Sequence, residues 1–380
     1  MWFFRSPTVV FGDEALSYLS SLPIHRALIV TDRHLMSTDV PEKVRQSLPR
    51  DAQTLVLGDV GAEPDLEEMT AHLDELRRFA PDWIVGVGGG SALDTAKILF
   101  VLYERPDLTV YDTTPLQPLG LRAKSRLIAV PTTSGTGSEC TWAAVLTERA
   151  EKRKHELASP EIIPDYAILD PEMVLSLPLE QTRNTAVDAI THAIEAYVSQ
   201  WKNPYSDAMA EKGLELILGN IVAVVKEPGN RPARNAVHIG ASMAGLSFSN
   251  SQIGLAHALG HALGGRYKTP HGKAVGIFLP LVIEFNQPVC GERFERLNRL
   301  FPAQLRAPTL AGSVRNLFRS IGQDATVASL GIARAQYLSD IDELASLAAE
   351  STGLVTNPRD SGTAELKEIL EHAFAGGDPP

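Results

Sequence analysis

Short apolar runs and helical stripes alternate through the first half of the chain. Ala27 to Val30, Thr54 to Leu57, Trp83 to Val87 and Leu127 to Val130 are strand-length runs without polar alternation, the pattern of strands buried on both faces. Between the second and third runs, Asp65 is placed to cap a helix and Glu68 to close its capping box. Leu66, Met69, Leu73 and Leu76 then recur on one face of that helix. Such alternation predicts a parallel sheet covered by helices. One more run, Ala167 to Leu169, closes the series. Beyond the turn-rich stretch Asp170 to Pro178 the period becomes helical, as in Leu338, Ile341, Leu344, Ala345 and Ala348, and strand candidates almost vanish. The expected boundary lies near residue 180. An α/β domain with a Rossmann-like parallel sheet should occupy 1–180 and an all-helical domain 181–380. No repeat or long linker separates them.

Charge and cysteine content narrow the partners. The 380 residues carry 35 basic and 46 acidic side chains, a formal net charge of -11, which argues against nucleic acid and leaves a small molecule as the expected ligand. Cys140 and Cys290 are far apart and form no CxxC, so neither a disulfide framework nor a thiolate zinc site is expected. That usage fits a reducing, cytoplasmic setting. No signal-type segment and no apolar stretch near ~18 residues stands out, so no membrane partner is expected.

Two loops carry candidate chemistry. The strand Trp83 to Val87 runs into Gly88, Gly89, Gly90 and Ser91 and then into the helical stretch Ala92 to Leu99. Glycines admit a ligand close to the backbone, and amides at a helix N-terminus favour phosphate. The spacing is not GxGxxG, and a turn of this kind also has a purely structural use. Pro131 to Glu139 supplies a second loop of hydroxyls and glycines after another strand, where open α/β sheets bind ligands. Asp32 ends the strand that begins at Ala27. It is placed to accept from an adenosine ribose and repel a 2'-phosphate, and it also suits a helix cap.

Histidines supply the other candidate site. Asp188 and His192 are four apart in a helical stretch, and His257 and His261 are four apart in another, with His271 following in a turn. Buried imidazoles cost free energy without partners, so several in apolar settings point to one shared divalent metal. Spacing alone leaves Asp188, His192, Glu195, His257, His261 and His271 as ligands. Nitrogen donors with one carboxylate suit Fe2+ or Zn2+ rather than Mg2+ or Ca2+.

These residues resemble the iron-containing, or group III, alcohol dehydrogenases, relatives of glycerol dehydrogenase and, more distantly, of 3-dehydroquinate synthase. The resemblance runs from Pro7 to Gly12 through Gly88 to Lys97, Pro131 to Glu139 and Ile163 to Pro171 to the stretch Asn357 to Arg359. Its most specific parts are Asp188 to Glu195, His257 to Gly264 and Thr269 to Gly272. The resemblance implies metal ligands Asp188, His192, His257 and His271, with His261 beside them near the nicotinamide as the catalytic histidine. Glu195 is then a motif residue without a ligand role. It also implies NAD, with NADP second, held by Asp32, Gly89, Gly90, Ser91, Asp94, Thr132, Thr133, Thr136 and Lys154. One departure stands out: many relatives carry Pro-Asn-Pro-Thr or Pro-Glu-Pro-Thr where this chain reads Ala62-Glu63-Pro64-Asp65, so Glu63 stands where an Asn would meet the nicotinamide ribose, and a carboxylate accepts but does not donate.

The implied reaction interconverts a short alcohol or diol and its aldehyde or ketone by hydride transfer to NAD. His261 would exchange the proton, in a cleft between the two domains. A homo-oligomer, dimer or larger, is expected. The rival reading is a lyase like 3-dehydroquinate synthase, which needs a basic pocket; Arg266, Lys268 and Lys273 are the candidates for one. Phe248, Leu255 and Tyr267 are candidates for an apolar substrate wall.

Overall fold

A computed structural model describes residues 3–61, 66–148 and 153–375, without the side chains of 147, 148, 153 and 154. Glu63, Pro64 and Asp65, with the proposed helix cap, and the Lys154 side chain lie outside the described residues. The chain divides into two compact units, Arg5–Leu177, and Pro178–Pro380 together with Met1–Phe4.

In the first unit, strands β1 (Thr8–Phe11), β2 (Arg26–Asp32), β3 (Gln53–Val60), β4 (Trp83–Gly88) and β5 (Arg126–Pro131) precede an antiparallel hairpin of β6 (Ala143–Glu148) and β7 (Arg153–Ala158), and β8 (Tyr166–Leu169) follows. Among the described residues six of these form one sheet in the order β1-β8-β5-β4-β2-β3, every neighbouring pair parallel. Helices α1 (Val40–Gln46), α2 (Leu66–Ala71), α3 (Leu73–Phe79) and α4 (Gly90–Glu104) connect the strands.

Successive side chains of a strand point to opposite faces. Leu28 and Val30 of β2 therefore join Ile84 and Leu127 in one core with Leu76 and Leu99, while Ala27 and Ile29 join Val85 and Ile128 in another with Leu19 and Val44. Both faces are covered, which is why these strands read as unbroken apolar runs. The single helix expected over Leu66 to Leu76 is two, because at His72 the backbone tightens to a three-residue bond, His72 N to Met69 O at 3.2 Å. Met69, Leu73 and Leu76 still share the buried face.

The sheet changes direction of growth between β2 and β4: β3 extends it one way, while β4, β5 and β8 extend it the other. Asp32 and Gly88 close these two strands, so both stand at the switch point where open sheets take ligands.

The second unit contains α5 (Leu179–Val198), α6 (Pro204–Lys226), α7 (Arg231–Ser249), α8 (Leu255–Tyr267), α9 (His271–Asn298), α10 (Leu310–Ile321), α11 (Arg334–Ala349), α12 (Thr352–Thr356) and α13 (Thr363–Ala373), and no strand among the described residues. Local signals set the ends: Thr309 Oγ1 accepts from Gly312 N to start α10, and Gly322 at φ 68° stops it. On α11, Ile341, Leu344, Ala345 and Ala348 are buried as the spacing predicts. Leu338 is 41% exposed instead, and Tyr337 takes the inward place.

Helix α5 is buried along most of its length, packed by α6, α7 and α9. The α9 start approaches α5 so closely that a Cβ on Gly272 would stand 1.9 Å from Asn184 O, so only glycine fits there. Near the end of the chain, Asn357 exchanges two 2.9 Å side-chain hydrogen bonds with Asn286, and Arg359 lies over the Phe285 ring.

Candidate active site

The close packing of α5, α8 and α9 gathers four of the six residues that spacing nominated. One ligand atom from each of Asp188, His192, His257 and His271 lies within 4.8 Å of the others. Asp188 Oδ1 is central, 3.2 Å from His271 Nε2, 3.5 Å from His257 Nε2 and 3.8 Å from His192 Nε2. His192 lies between two rings, stacked on Phe248 at 4.1 Å and on His257 at 4.5 Å between centroids. Asp188, His192 and His257 are buried, whereas the His271 side chain is 44% exposed.

The electrostatics fit a cation. Burial alone would raise the Asp188 carboxyl, but His192, His271 and His257 outweigh it and hold the group well below its usual range. Burial likewise opposes charge on His257, and Glu195 and Asp188 together offset this and lift the imidazole to about 9. Despite the short distances, Asp188 Oδ1 and His257 Nε2 are buried without a hydrogen-bond partner among the described residues. Leaving such atoms unsatisfied costs ~1–3 kcal/mol each. A cation at their focus meets both needs, and one carboxylate with three imidazoles suits Fe2+ or Zn2+.

The remaining two nominees stand apart from this focus. His261 lies one turn along α8, its ring 5.9 Å from that of His257 and 5.1 Å from that of His271. Glu195 is turned to the far side of His257, with Oε2 2.5 Å from His257 Nδ1. Of the wall candidates, Phe248 touches the cluster. Leu255 is core, and the Tyr267 hydroxyl donates to Asp340. Arg266 pairs with Asp340 and Glu343, which commits the first of the basic candidates.

In the other unit, three loops leave the carboxyl ends of adjacent strands. Gly88 adopts φ 152°, where a side chain is strained, and a Cβ there would meet Ala92 at 2.6 Å. Asp32 Oδ1 accepts from Leu35 N at 2.9 Å, the cap that spacing allowed, while its Oδ2 faces the Gly88 backbone. A Cβ on Gly89 would reach Thr133 at 3.3 Å, and one on Gly90 would reach Thr136 at 3.2 Å, so the two loops face each other. Thr132 N donates to Gly88 O, and Thr133 Oγ1 is buried without a hydrogen-bond partner among the described residues. Ser91 opens α4 behind the loop. Bare backbone at a helix start and an unused hydroxyl fit a nucleotide phosphate.

Beneath the loops sits a buried network that spacing did not disclose. Lys97, 1% exposed, donates to Ser138 Oγ at 3.0 Å, Thr141 Oγ1 at 2.9 Å and Ala143 O at 2.7 Å. Asp94, named above as a cofactor contact, accepts from Ser138 Oγ at 2.6 Å and Val145 N at 3.0 Å. Burial pushes Lys97 down to about 8 against the pull of Asp94 and Glu139, and burial raises Asp94.

A doubly wound parallel sheet with facing phosphate loops, and a cluster of one aspartate and three histidines on closely packed helices, define a metal-dependent, nicotinamide-linked oxidoreductase. The chain belongs to the iron-containing alcohol dehydrogenase family: the profile described as iron-containing alcohol dehydrogenase matches residues 6–171, and that of the family's C-terminal part matches 182–374. It is similar to the NADPH-dependent butanol dehydrogenase of Clostridium saccharobutylicum, 31% identical over 97% of this chain and 96% of that protein. Of the aldehyde-alcohol dehydrogenase of Streptococcus pneumoniae, 30% identical, it spans 46%.

Two solved structures share the fold. The iron-containing alcohol dehydrogenase of Thermococcus thioreducens has a TM-score of 0.90 and 31% identity, covering 99% of this chain and 100% of that one. The sulfoacetaldehyde reductase of Bifidobacterium kashiwanohense, in complex with NAD+, has a TM-score of 0.89 and 26% identity, with 100% of both chains covered. The chain is thus an alcohol dehydrogenase that interconverts a small alcohol and its carbonyl form with a metal and a nicotinamide cofactor. Nothing favours the lyase reading.

Proposed function

We propose that Asp188, His192, His257 and His271 hold the catalytic metal, Fe2+ first and Zn2+ second. We place NAD on Asp32, Gly89, Gly90, Ser91, Asp94, Thr132, Thr133, Thr136 and Lys154, which makes 1–180 the dinucleotide-binding domain and 181–380 the metal-binding and catalytic one. The carrying observation is the convergence of four ligand atoms within 4.8 Å around Asp188 Oδ1. When bound, the metal supplies Lewis-acid polarisation of the substrate oxygen. His261 takes the hydroxyl proton during oxidation and returns it during reduction, and Phe248 gives the site an apolar flank that suits short alcohols or diols.

NAD is preferred to NADP because Asp32 ends β2 beside Gly88, where a 2'-phosphate would meet a like charge. Relatives point both ways, one being NADPH-dependent and another in complex with NAD+. Cys140 and Cys290 are buried and share no disulfide, which supports a cytoplasmic setting. The family resemblance leads us to expect a homo-oligomer, dimer or larger, checked by light scattering. The deciding experiment is metal analysis of anaerobically purified protein beside an alcohol and aldehyde screen followed by NADH. Full activity without metal would refute the assignment.

A further inference from the structure

Glu195 is 4% exposed and one turn beyond His192 on α5, and both its oxygens are engaged. Oε1 accepts from Ala256 N at 2.6 Å; Oε2 accepts from Gly254 N at 2.9 Å and meets His257 Nδ1 at 2.5 Å. The approach is close enough that a Cβ on Gly254 would stand 3.0 Å from Oε1. Gly254 and Ala256 are the N-cap and second residues of α8, whose N-terminal amides have no intrahelical acceptors and which has no side-chain cap of its own. A carboxylate from another helix therefore closes the start of α8 and grips its third residue, His257.

The grip selects a tautomer. An ionised carboxylate only accepts, so the hydrogen of a neutral His257 belongs on Nδ1 and the lone pair on Nε2, the atom 3.5 Å from Asp188 Oδ1. We propose that Glu195 is a positioning residue for the metal: it fixes His257 with the Nε2 lone pair facing Asp188 and anchors that histidine to the first turn of α8. The proposal rests on the metal assignment above. It gives work to a residue that spacing offers as a ligand and that the family resemblance leaves without one.

Glu195→Gln is the sharp test because it keeps size and removes one acceptor. Three donors face the group, and the amide presents its own N–H2 either to Ala256 N–H or to Gly254 N–H and His257 Nδ1 together. The second arrangement forces the hydrogen onto Nε2, where the lone pair is needed. Metal-free full-length protein is titrated with Co2+ against a competing chelator, reading the visible absorption of the bound ion, with thermal unfolding of the same metal-free samples alongside. Glu195→Gln should bind Co2+ about 10–100-fold more weakly than wild type, the usual cost of losing a histidine's carboxylate partner. Glu195→Asp should recover part of the affinity. In a His257→Ala background Glu195→Gln should add nothing.

Wild-type affinity in Glu195→Gln, or a lowered unfolding temperature with unchanged affinity, would reduce Glu195 to a helix cap and overturn the proposal. His271→Ala in the same titration separates the two layers. If it too binds like wild type, the ligand assignment itself fails; if it loses Co2+ while Glu195→Gln keeps it, only the positioning role falls. If Glu195→Gln is too unstable to titrate, Glu195→Asp carries the decision: weaker binding supports the proposal and wild-type binding ends it.

Discussion

The two proposed sites would bind by opposite means. In the α/β unit the binding surface is mostly backbone, glycines facing threonines at the ends of strands, and its precision comes from below, where Lys97 and Asp94 tie α4 to residues 138–145. In the helical unit the surface is side-chain heteroatoms, and precision comes from how closely three helices pack. A backbone site is lost when a side chain crowds the glycines that line it or when the residues that hold its loops are changed. A side-chain site is lost one ligand at a time.

The largest effect expected from this contrast follows metal removal. Chelation, or His271→Ala, should take turnover to background while NADH binding, followed by its fluorescence, is kept. Because His271 is the exposed ligand, the unfolding temperature of metal-free His271→Ala should stay near that of metal-free wild type. Turnover in verified metal-free protein would erase the distinction between the units.

His261→Ala comes next. It should retain nearly stoichiometric metal and lose ~100- to 10,000-fold in kcat, the range for general acid–base help, whereas His257→Ala should lose the metal. Metal analysis of the two variants decides, and the reverse pattern would exchange their roles.

Lys97→Met tests the floor of the backbone site. Leaving a buried partner uncompensated costs about 3–5 kcal/mol, measurable by urea unfolding, and KM for NAD should rise more than kcat falls. The pH dependence has a definite sign. Lys97 titrates near 8 when folded, below its ordinary 10.5, so between those values the unfolded chain binds more protons. Wild-type stability relative to Lys97→Met should therefore climb as pH rises from about 8 to 10.5, with the full cost of the buried charge present below 8. A pH-independent difference would mean that Lys97 titrates normally.

The smallest effect is at Asp32, where one lining side chain adds to a backbone site. Asp32→Gly should narrow the kcat/KM preference for NAD over NADP by roughly tenfold, which corresponds to about 1.4 kcal/mol of like-charge repulsion at a half-buried, solvent-screened carboxylate. A wild-type preference for NADP would place the carboxylate away from the ribose.

Much of this was legible in the residues, for identifiable reasons. Strands β2, β4, β5 and β8 announce themselves because burial on both faces forces continuous apolar runs, whereas β3 at the sheet edge reads as apolar from Thr54 to Leu57 although its burial is partial and Val56 is 37% exposed. β1 does not announce itself: its burial is partial, Phe11 is 63% exposed, and its only strand partner among the described residues, β8, lies more than 150 residues away. The β6 and β7 hairpin hides in what reads as a charged stretch, although Ala144, Leu146 and Leu157 point inward. Residue type and spacing found every metal-ligand candidate, but His257 and His261 differ only by a turn of α8. Which one faces Asp188 depends on how α8 packs on α5 and α9. Glu195 was visible as a carboxylate at ligand spacing; its actual partners, two backbone amides and His257, are set by a contact some 60 residues away in sequence.

His271 has a consequence for how the protein is supplied. Of the four proposed ligands, Asp188, His192 and His257 are buried in helices that have their own apolar cores, and the His271 side chain is 44% exposed. On the proposed assignment, the helical unit should fold empty and be filled afterwards through the His271 side, with the ion entering and leaving without unfolding. Stirring iron-loaded protein with excess Zn2+ should exchange the ion well below the unfolding temperature. Divalent ions rank by intrinsic affinity with zinc above ferrous iron, and the site's ligands do not reverse that order. If the exchange occurs, the ion found in a given preparation should follow the metals available during growth and purification.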